Sequence, residues 1–308
     1  MTSRSDGHDT QGDARALFYR RYRYQSVSRS LREQRRRDAL VPAELAAQSS
    51  QDYCEQLASH LRELLSSEEL RLVGDFFVGL TDEPRFSASI EPVGRSHLIL
   101  VHRRLFNALQ FVSDVITHPR LTATEQAHHL ARYLSALVLA ASRGERLSPH
   151  LPRSPDLESV EHSIASSVVN GSLFRFVVSH ELGHVVATRQ LACGFTDTDA
   201  HAELLADAFA FILPLRETRL DSVSSALYFS TSLLAPFLFL YLLSAFEQLL
   251  AVVASSQPAT SHPPSVARTG ALLLHIQRDL PQHIASQAEQ LSMLWEQFFR
   301  QIVCMTNG

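Results

Sequence analysis

Residues 172–193 read SLFRFVVSHELGHVVATRQLAC, and residues 201–214 read HAELLADAFAFILP. Both carry apolar residues at helical spacing, with Leu173, Phe174, Phe176 and Val177 before His180-Glu181-Leu182-Gly183-His184 and Val185 and Val186 after it. On a helix, positions i and i+4 share a face, so the imidazoles of His180 and His184 can reach one metal ion. Glu181 falls beside them, where a carboxylate can take a proton from water activated by such an ion. Gly183 weakens a helix. On that face, a residue without a side chain lets another segment approach closely. By itself HExxH is a short pattern that also arises in proteins without metal, so its surroundings decide its meaning.

The second stretch supplies those surroundings. A catalytic zinc site needs a third protein ligand and an open position. Glu203 follows His184 by nineteen residues. A turn at Cys193-Gly194 would bring a second, antiparallel helix back to the metal, with Glu203 as ligand. Asp207 lies one helical turn after Glu203, placed to accept the outer N–H of a ligand imidazole and so fix its tautomer. An ordinary solvated face fits both carboxylates poorly. Their neighbours Leu204, Leu205, Ala206, Ala208, Phe209 and Ala210 are apolar, and charged groups in such company need partners. His201 is out of phase with Glu203 and ranks below it as a ligand.

A third segment, Ser261-His262-Pro263-Pro264-Ser265-Val266-Ala267-Arg268, reads as a helix started by prolines. A histidine fixed before that helix can donate to the oxyanion of a tetrahedral intermediate. Arg268 can hold a carboxylate or orient the loop. From the residues alone the plainer reading, a helix start with a surface histidine, is favoured.

Around these stretches the expected fold is mainly α, an α+β arrangement of helices with a small β-hairpin. Residues 1–15 are polar and read as disordered. Residues 16–37 carry eight arginines from Arg20 to Arg37 with Phe18, Tyr19, Tyr22 and Tyr24 among them. An arm for nucleic acid or an anionic surface is the weaker reading, and a helix packing its aromatic residues on the body the stronger. Helices are expected at 42–73, 103–117, 122–143 (capped by Thr122 or Thr124), 157–169, 172–193, 198–213, 264–278 and 281–303. Phe86–Glu91 and His97–His102 flank the turn signal Pro92-Val93-Gly94-Arg95 and predict a hairpin. The domain division is an arm over 1–40 and one domain over 41–308. Within the latter come a helical part to about 150, a metal-binding core over about 157–275 and a C-terminal helix.

The chain has 308 residues, 45% of them hydrophobic, enough for a sizeable core. Its formal net charge of −4 gives no reason to expect a nucleic-acid partner. All 28 basic residues are arginine, spread along the chain, which reads as coding bias. Three cysteines without a CxxC pair argue against a disulfide framework and for a reducing cytosol. The polar N-terminus shows no secretory signal. Residues Ser222–Phe246 form a run of 25 without a charge, long enough to span a bilayer. Its Ser/Thr-rich first half, Pro236 and the lack of a flanking basic cluster favour a buried core helix, or a pair broken at Pro236. A membrane segment is the alternative.

HELGH followed by Glu203-x-x-x-Asp207 resembles the gluzincin zinc peptidases, in which two histidines and a downstream glutamate hold the metal. ELLADAFAFILP (203–214) is similar to a run of the ImmA/IrrE-type peptidases. SHPPSVARTGAL (261–272) resembles the SHPP-x-x-x-R segment of the CAAX-prenyl-protease and HtpX-like peptidases, where the histidine and arginine lie at the active site. The hairpin before Arg103-Arg104-Leu105-Phe106 is similar to the strand pair of both groups, whose edge strand binds substrate backbone. The resemblance covers roughly 85–114, 172–214 and 261–275, and none of the first 80 residues. The short interval between HELGH and Glu203 departs from the membrane-embedded HtpX-like layout.

Alongside the cytosolic setting that the cysteines and N-terminus suggest, the resemblance implies a zincin-like endopeptidase with Zn²⁺ on His180, His184 and Glu203. It implies Glu181 as general base, His262 as oxyanion donor, and Asp207 and Arg268 in support. Ser87, Ser89 and Glu91 would form the edge that binds a protein or peptide substrate. Regulatory proteolysis, in stress response or phage defence, is the implied setting. A membrane-associated protease and a non-enzymatic zinc-stabilised binding protein are the alternatives.

Overall fold

The computed structural model describes residues 14–21, 50–81, 83, 85–144, 151–152, 154–155, 159–191, 199–216, 223–254 and 263–307. The chain divides into two units. The first joins Met1–Asp82 to Ala88–Val101, and the second joins Glu83–Ser87 to His102–Gly308.

In the first unit, helix α1 (14–21) precedes α2 (Ser50–Leu64) and α3 (Ser67–Val73). The helix expected over 42–73 is therefore two helices within its described part. A capping box separates them: Ser66 Oγ accepts from the Glu69 N–H at 3.2 Å, and the Glu69 carboxylate accepts from the Ser66 N–H at 2.8 Å. Gly74, with φ 69°, ends α3. Strand β1 (Asp75–Thr81) follows, then β2 (Ala88–Val93) and β3 (Ser96–His102), in the sheet order β1-β3-β2.

The predicted hairpin is present as β2 and β3, but its first strand starts two residues later than expected and takes in Pro92 and Val93, which were read as turn. They pair antiparallel from Ala88 opposite Val101 to Val93 opposite Ser96, around Gly94 at φ 61°. Strand β1 was not foreseen. Its Phe76, Phe77, Val78 and Leu80 are all buried, so it shows a continuous apolar run and not the alternation of a half-exposed strand. Helix α1 closes a small core of Ala14, Phe18, Phe77, Val93, Leu98 and Leu100. A Cβ on Gly79 would lie 2.2 Å from the Phe18 ring, so the missing side chain is what lets that ring in. Tyr19 donates its hydroxyl to Glu55 at 2.9 Å. The described end of the arginine-rich arm thus packs its aromatic residues on the body, and the rest of the arm lies outside the described residues.

The second unit is helical: α4 (Arg103–Ile116), α5 (Ala123–Ser142), α6 (Val160–Leu191), α7 (Asp199–Leu215), α8 (Val223–Ala254), α9 (Ser265–Asp279) and α10 (Gln282–Asn307). Thr122 caps α5, reciprocally with Glu125. One expected break is absent, and so is the break at Pro236 that stood as the alternative to a single helix. The helices predicted at 157–169 and 172–193 are one, α6, running through Asn170-Gly171. Packing against α4, α7 and α8 outweighs the roughly 1 kcal/mol that glycine costs inside a helix. Helix α8 likewise continues through Pro236.

Among the described residues, α8 holds the one stretch long and apolar enough to cross a membrane, Phe229–Val253. Within the unit it lies among α5, α6, α7, α9 and α10, with Phe237, Leu238, Leu240 and Leu242 fully buried. A buried polar knot ties α4 to α6. The Asp114 carboxylate accepts from Gln110 Nε2 at 2.7 Å and from the Ser154 and Ser166 hydroxyls, and His162 Nε2 lies 3.0 Å from the Asp114 carbonyl oxygen.

Candidate metal centre

Helices α6 and α7 pack closely because Gly183 lies against Ala206. A Cβ at Gly183 would fall 2.7 Å from Ala206 Cα and 2.9 Å from its carbonyl oxygen. The close approach expected on that glycine's face is thus made by α7. Glu203 meets His184, while Asp207, one turn later, meets His180, one turn earlier, so the two helices run antiparallel. The connecting turn at Cys193-Gly194 lies outside the described residues.

Three donor groups converge. His180 Nε2 and His184 Nε2 are 3.0 Å apart, and the two Glu203 oxygens lie 3.4 Å from His180 Nε2 and 3.4 Å from His184 Nε2. Metal bonds of about 2.0–2.1 Å in a tetrahedron put ligand atoms about 3.3 Å apart, so these three donors already stand near the spacing zinc requires. Among the described residues this is the one group of three or more such side chains close enough to hold an ion. Two imidazole nitrogens at 3.0 Å need a proton or a cation between them, which a metal would supply. Glu181, next to His180 on α6, is 8% exposed.

Behind the donors lies a second set of contacts. His180 Nδ1 donates to Asp207 Oδ1 at 2.9 Å, leaving Nε2 to face Glu203 and His184. Arg268, reaching in from α9, donates Nε to Asp207 Oδ2 at 2.8 Å and Nη2 to Oδ1 at 2.6 Å. Its Nη1 lies 3.3 Å from Glu203 Oε2. This two-pronged grip on a carboxylate uses the fork geometry of guanidinium. Asp207 is 1% exposed, Glu203 3% and Arg268 5%. At the start of α9, Ser265 Oγ donates to Glu247 Oε1 at 2.8 Å.

The charges respond accordingly. Burial alone would lower the His180 pKa, but its hydrogen bonds to Asp207 and Glu203 prevail and raise it to about 9. Burial pushes Glu203 up, yet its hydrogen bond with His180 and the Arg268 charge hold it well below the usual carboxylate range. Asp207 is likewise lowered against its burial, first by Arg268 and then by His180. Without metal, His180⁺ and Arg268⁺ thus balance Glu203⁻ and Asp207⁻.

His180, His184, Glu203, Asp207 and Arg268 therefore lie together, with Glu181 next to His180 on α6, while His201 is exposed on α7 and outside the donor group. His262 lies outside the described residues. Ser89 and Glu91 sit on β2, an edge strand of the first unit. Glu91 pairs there with Arg21 at 2.8 Å, and Ser87 precedes the strand. Sequence reading passed over Glu247. Its signal was position: it is the first charge after the 25 uncharged residues. No protein-family model, curated protein or solved structure matches the chain.

Proposed function

We propose that this chain is a zinc-dependent endopeptidase with a zincin-like centre of the gluzincin kind. The observation that carries the reading is the convergence of His180, His184 and Glu203 from two helices at 3.0–3.4 Å, backed by Asp207 and Arg268. A bound zinc ion on those three side chains would supply Lewis-acid polarisation and acidify water at its open position. Glu181 takes the proton from the attacking water and delivers it to the leaving amine. Asp207 holds His180 in the tautomer that turns Nε2 toward Glu203 and His184. Arg268 keeps Asp207 ionised and in place.

The test has two arms. Protein purified without chelators should hold about one zinc per chain, falling more than about tenfold in His184→Ala and Glu203→Ala. Glu181→Gln should retain the zinc and lose about 10²–10⁴-fold in cleavage of a quenched-fluorescent peptide library. Wild-type protein without zinc sinks the metal reading. A Glu181→Gln protein with undiminished cleavage sinks its catalytic role.

A further inference from the structure

The described part of α9 starts without a cap of its own. Pro264 sits at the N-cap position, and a proline offers no side-chain acceptor for the exposed N–H groups of the first turn. Those groups are the positive end of the helix. A carboxylate from a different helix stands there: Glu247 of α8 accepts the Ser265 hydroxyl at 2.8 Å, and its other oxygen lies 3.4 Å from the Ser265 backbone N–H. Ser265 is fully buried.

One turn on, along the same buried face as Ser265, Thr269, Leu272 and Ile276, comes Arg268. Its guanidinium must arrive with both prongs on Asp207. Contacts of 2.8 Å and 2.6 Å tolerate little sliding or rotation of the helix that bears them. Thr269 donates its hydroxyl to the Ser265 carbonyl at 3.0 Å, continuing the polar side of this turn. Glu247 also acts on Arg268 directly, as a negative charge that favours the guanidinium cation.

We infer that Glu247 is a positioning residue of the metal centre: by fixing Ser265 it sets the placement of α9 and thereby aims Arg268 at Asp207. The order of contact is Glu247 to Ser265, along α9 to Arg268, then Asp207, then His180. Glu247 acts on the centre through this line and through its charge on Arg268. The inference rests on the metal reading above for its effect on zinc, but its first link is a property of the metal-free chain.

The experiment reads both. In metal-free protein, the Nε–Hε resonance of Arg268, identified by its absence in Arg268→Lys, reports the grip on Asp207. Glu247→Ala is expected to shift or broaden that resonance while the circular dichroism stays native. Glu247→Gln, whose amide oxygen can still accept the Ser265 hydroxyl, restores it, and Ser265→Ala imitates Glu247→Ala. Zinc competition against a chromophoric chelator should show about tenfold weaker binding in Glu247→Ala, the scale set by losing a partner behind the ligands. The Co²⁺ absorption spectrum should change with it. In an Arg268→Lys background, Glu247→Ala should weaken zinc binding little further.

An unchanged Arg268 resonance in folded Glu247→Ala overturns the inference, as does a zinc loss that simply multiplies with that of Arg268→Lys. Wild-type protein that binds neither Zn²⁺ nor Co²⁺ overturns the metal reading instead, and the resonance arm still decides whether Glu247 aims Arg268. Should Glu247→Ala not fold, Ser265→Ala carries the same comparisons.

Discussion

His180 sits between two carboxylates and a second imidazole, and its protonation sets the solution behaviour of the metal-free centre. Its pKa is raised from 6.5 to about 9. A raised pKa means that the folded state holds the proton more tightly than the unfolded chain does. The resulting stabilisation is complete below about pH 6.5 and disappears as pH climbs through about 9. Glu203 and Asp207 have the opposite sign. Their lowered values stabilise the fold above the ordinary carboxylate range, and that contribution fades as pH falls through them. Chelator-treated protein should therefore resist urea best between about pH 5 and 6.5. Loss of stability from pH 7 to 9 should vanish in His180→Gln.

Zinc needs His180 Nε2 without its proton, so metal uptake must expel it. Calorimetric titrations at pH 7 in buffers of different ionisation enthalpy should show about one proton released per zinc. The number should fall toward zero above about pH 9. Uptake without proton release at pH 7 would contradict the ion pairing of His180 with Asp207 and Glu203.

At the level of helices, the centre depends on how near α7 comes to α6. Gly183→Ala improves helix propensity by about 1 kcal/mol. Yet its methyl would sit 2.7 Å from a backbone atom of Ala206, so the helices must part. Overpacking of this kind costs about 1–3 kcal/mol, and the Glu203 oxygens move with α7. Lower urea resistance together with at least tenfold weaker zinc binding is expected. A Gly183→Ala protein with wild-type affinity would show that the crossing is not what sets the donor spacing. Separately, Thr122→Ala should cost about 1 kcal/mol through the cap of α5 and leave zinc affinity alone.

The same scale explains what the sequence revealed and what it hid. His180, His184, Glu203 and Asp207 were readable because helical spacing is local: once α6 and α7 are helices, a single antiparallel turn brings the four together. The glycine's purpose was readable for the same reason. A break at Asn170-Gly171 was expected and one at Pro236 was the alternative to a single helix, and both helices run on because each is held on several sides. Strand β1 was hidden because burial on both faces removes the alternation by which strands are recognised. Arg268 was read as able to hold a carboxylate, but its pairing with Asp207 in particular, and Glu247 behind it, join segments 61 and 18 residues apart. No periodicity encodes such a meeting.

For the molecule as a whole, zinc bound at the proposed centre would add a tie between α6 and α7 that only the folded chain offers. At a hundred times the dissociation constant, free zinc should stabilise the chain by about 2.7 kcal/mol. A rise of several degrees in the melting midpoint is expected, reversed by chelator and absent in His184→Ala. An equal rise in that variant would locate the effect elsewhere.

The second unit is not one run of chain. Glu83–Ser87 belongs to it, while the residues on either side, up to Asp82 and from Ala88 to Val101, belong to the first. Phe86 in that short excursion stacks on Phe246 of α8 with ring centroids 4.3 Å apart. A fragment beginning at residue 102 would keep all the described candidate ligands and yet strip one face from Phe246. For protein engineering, the centre is therefore not a cassette to be lifted out with a single cut. A fragment meant to preserve it must carry five residues from upstream, and a graft that omits them should tend to aggregate through the bared ring.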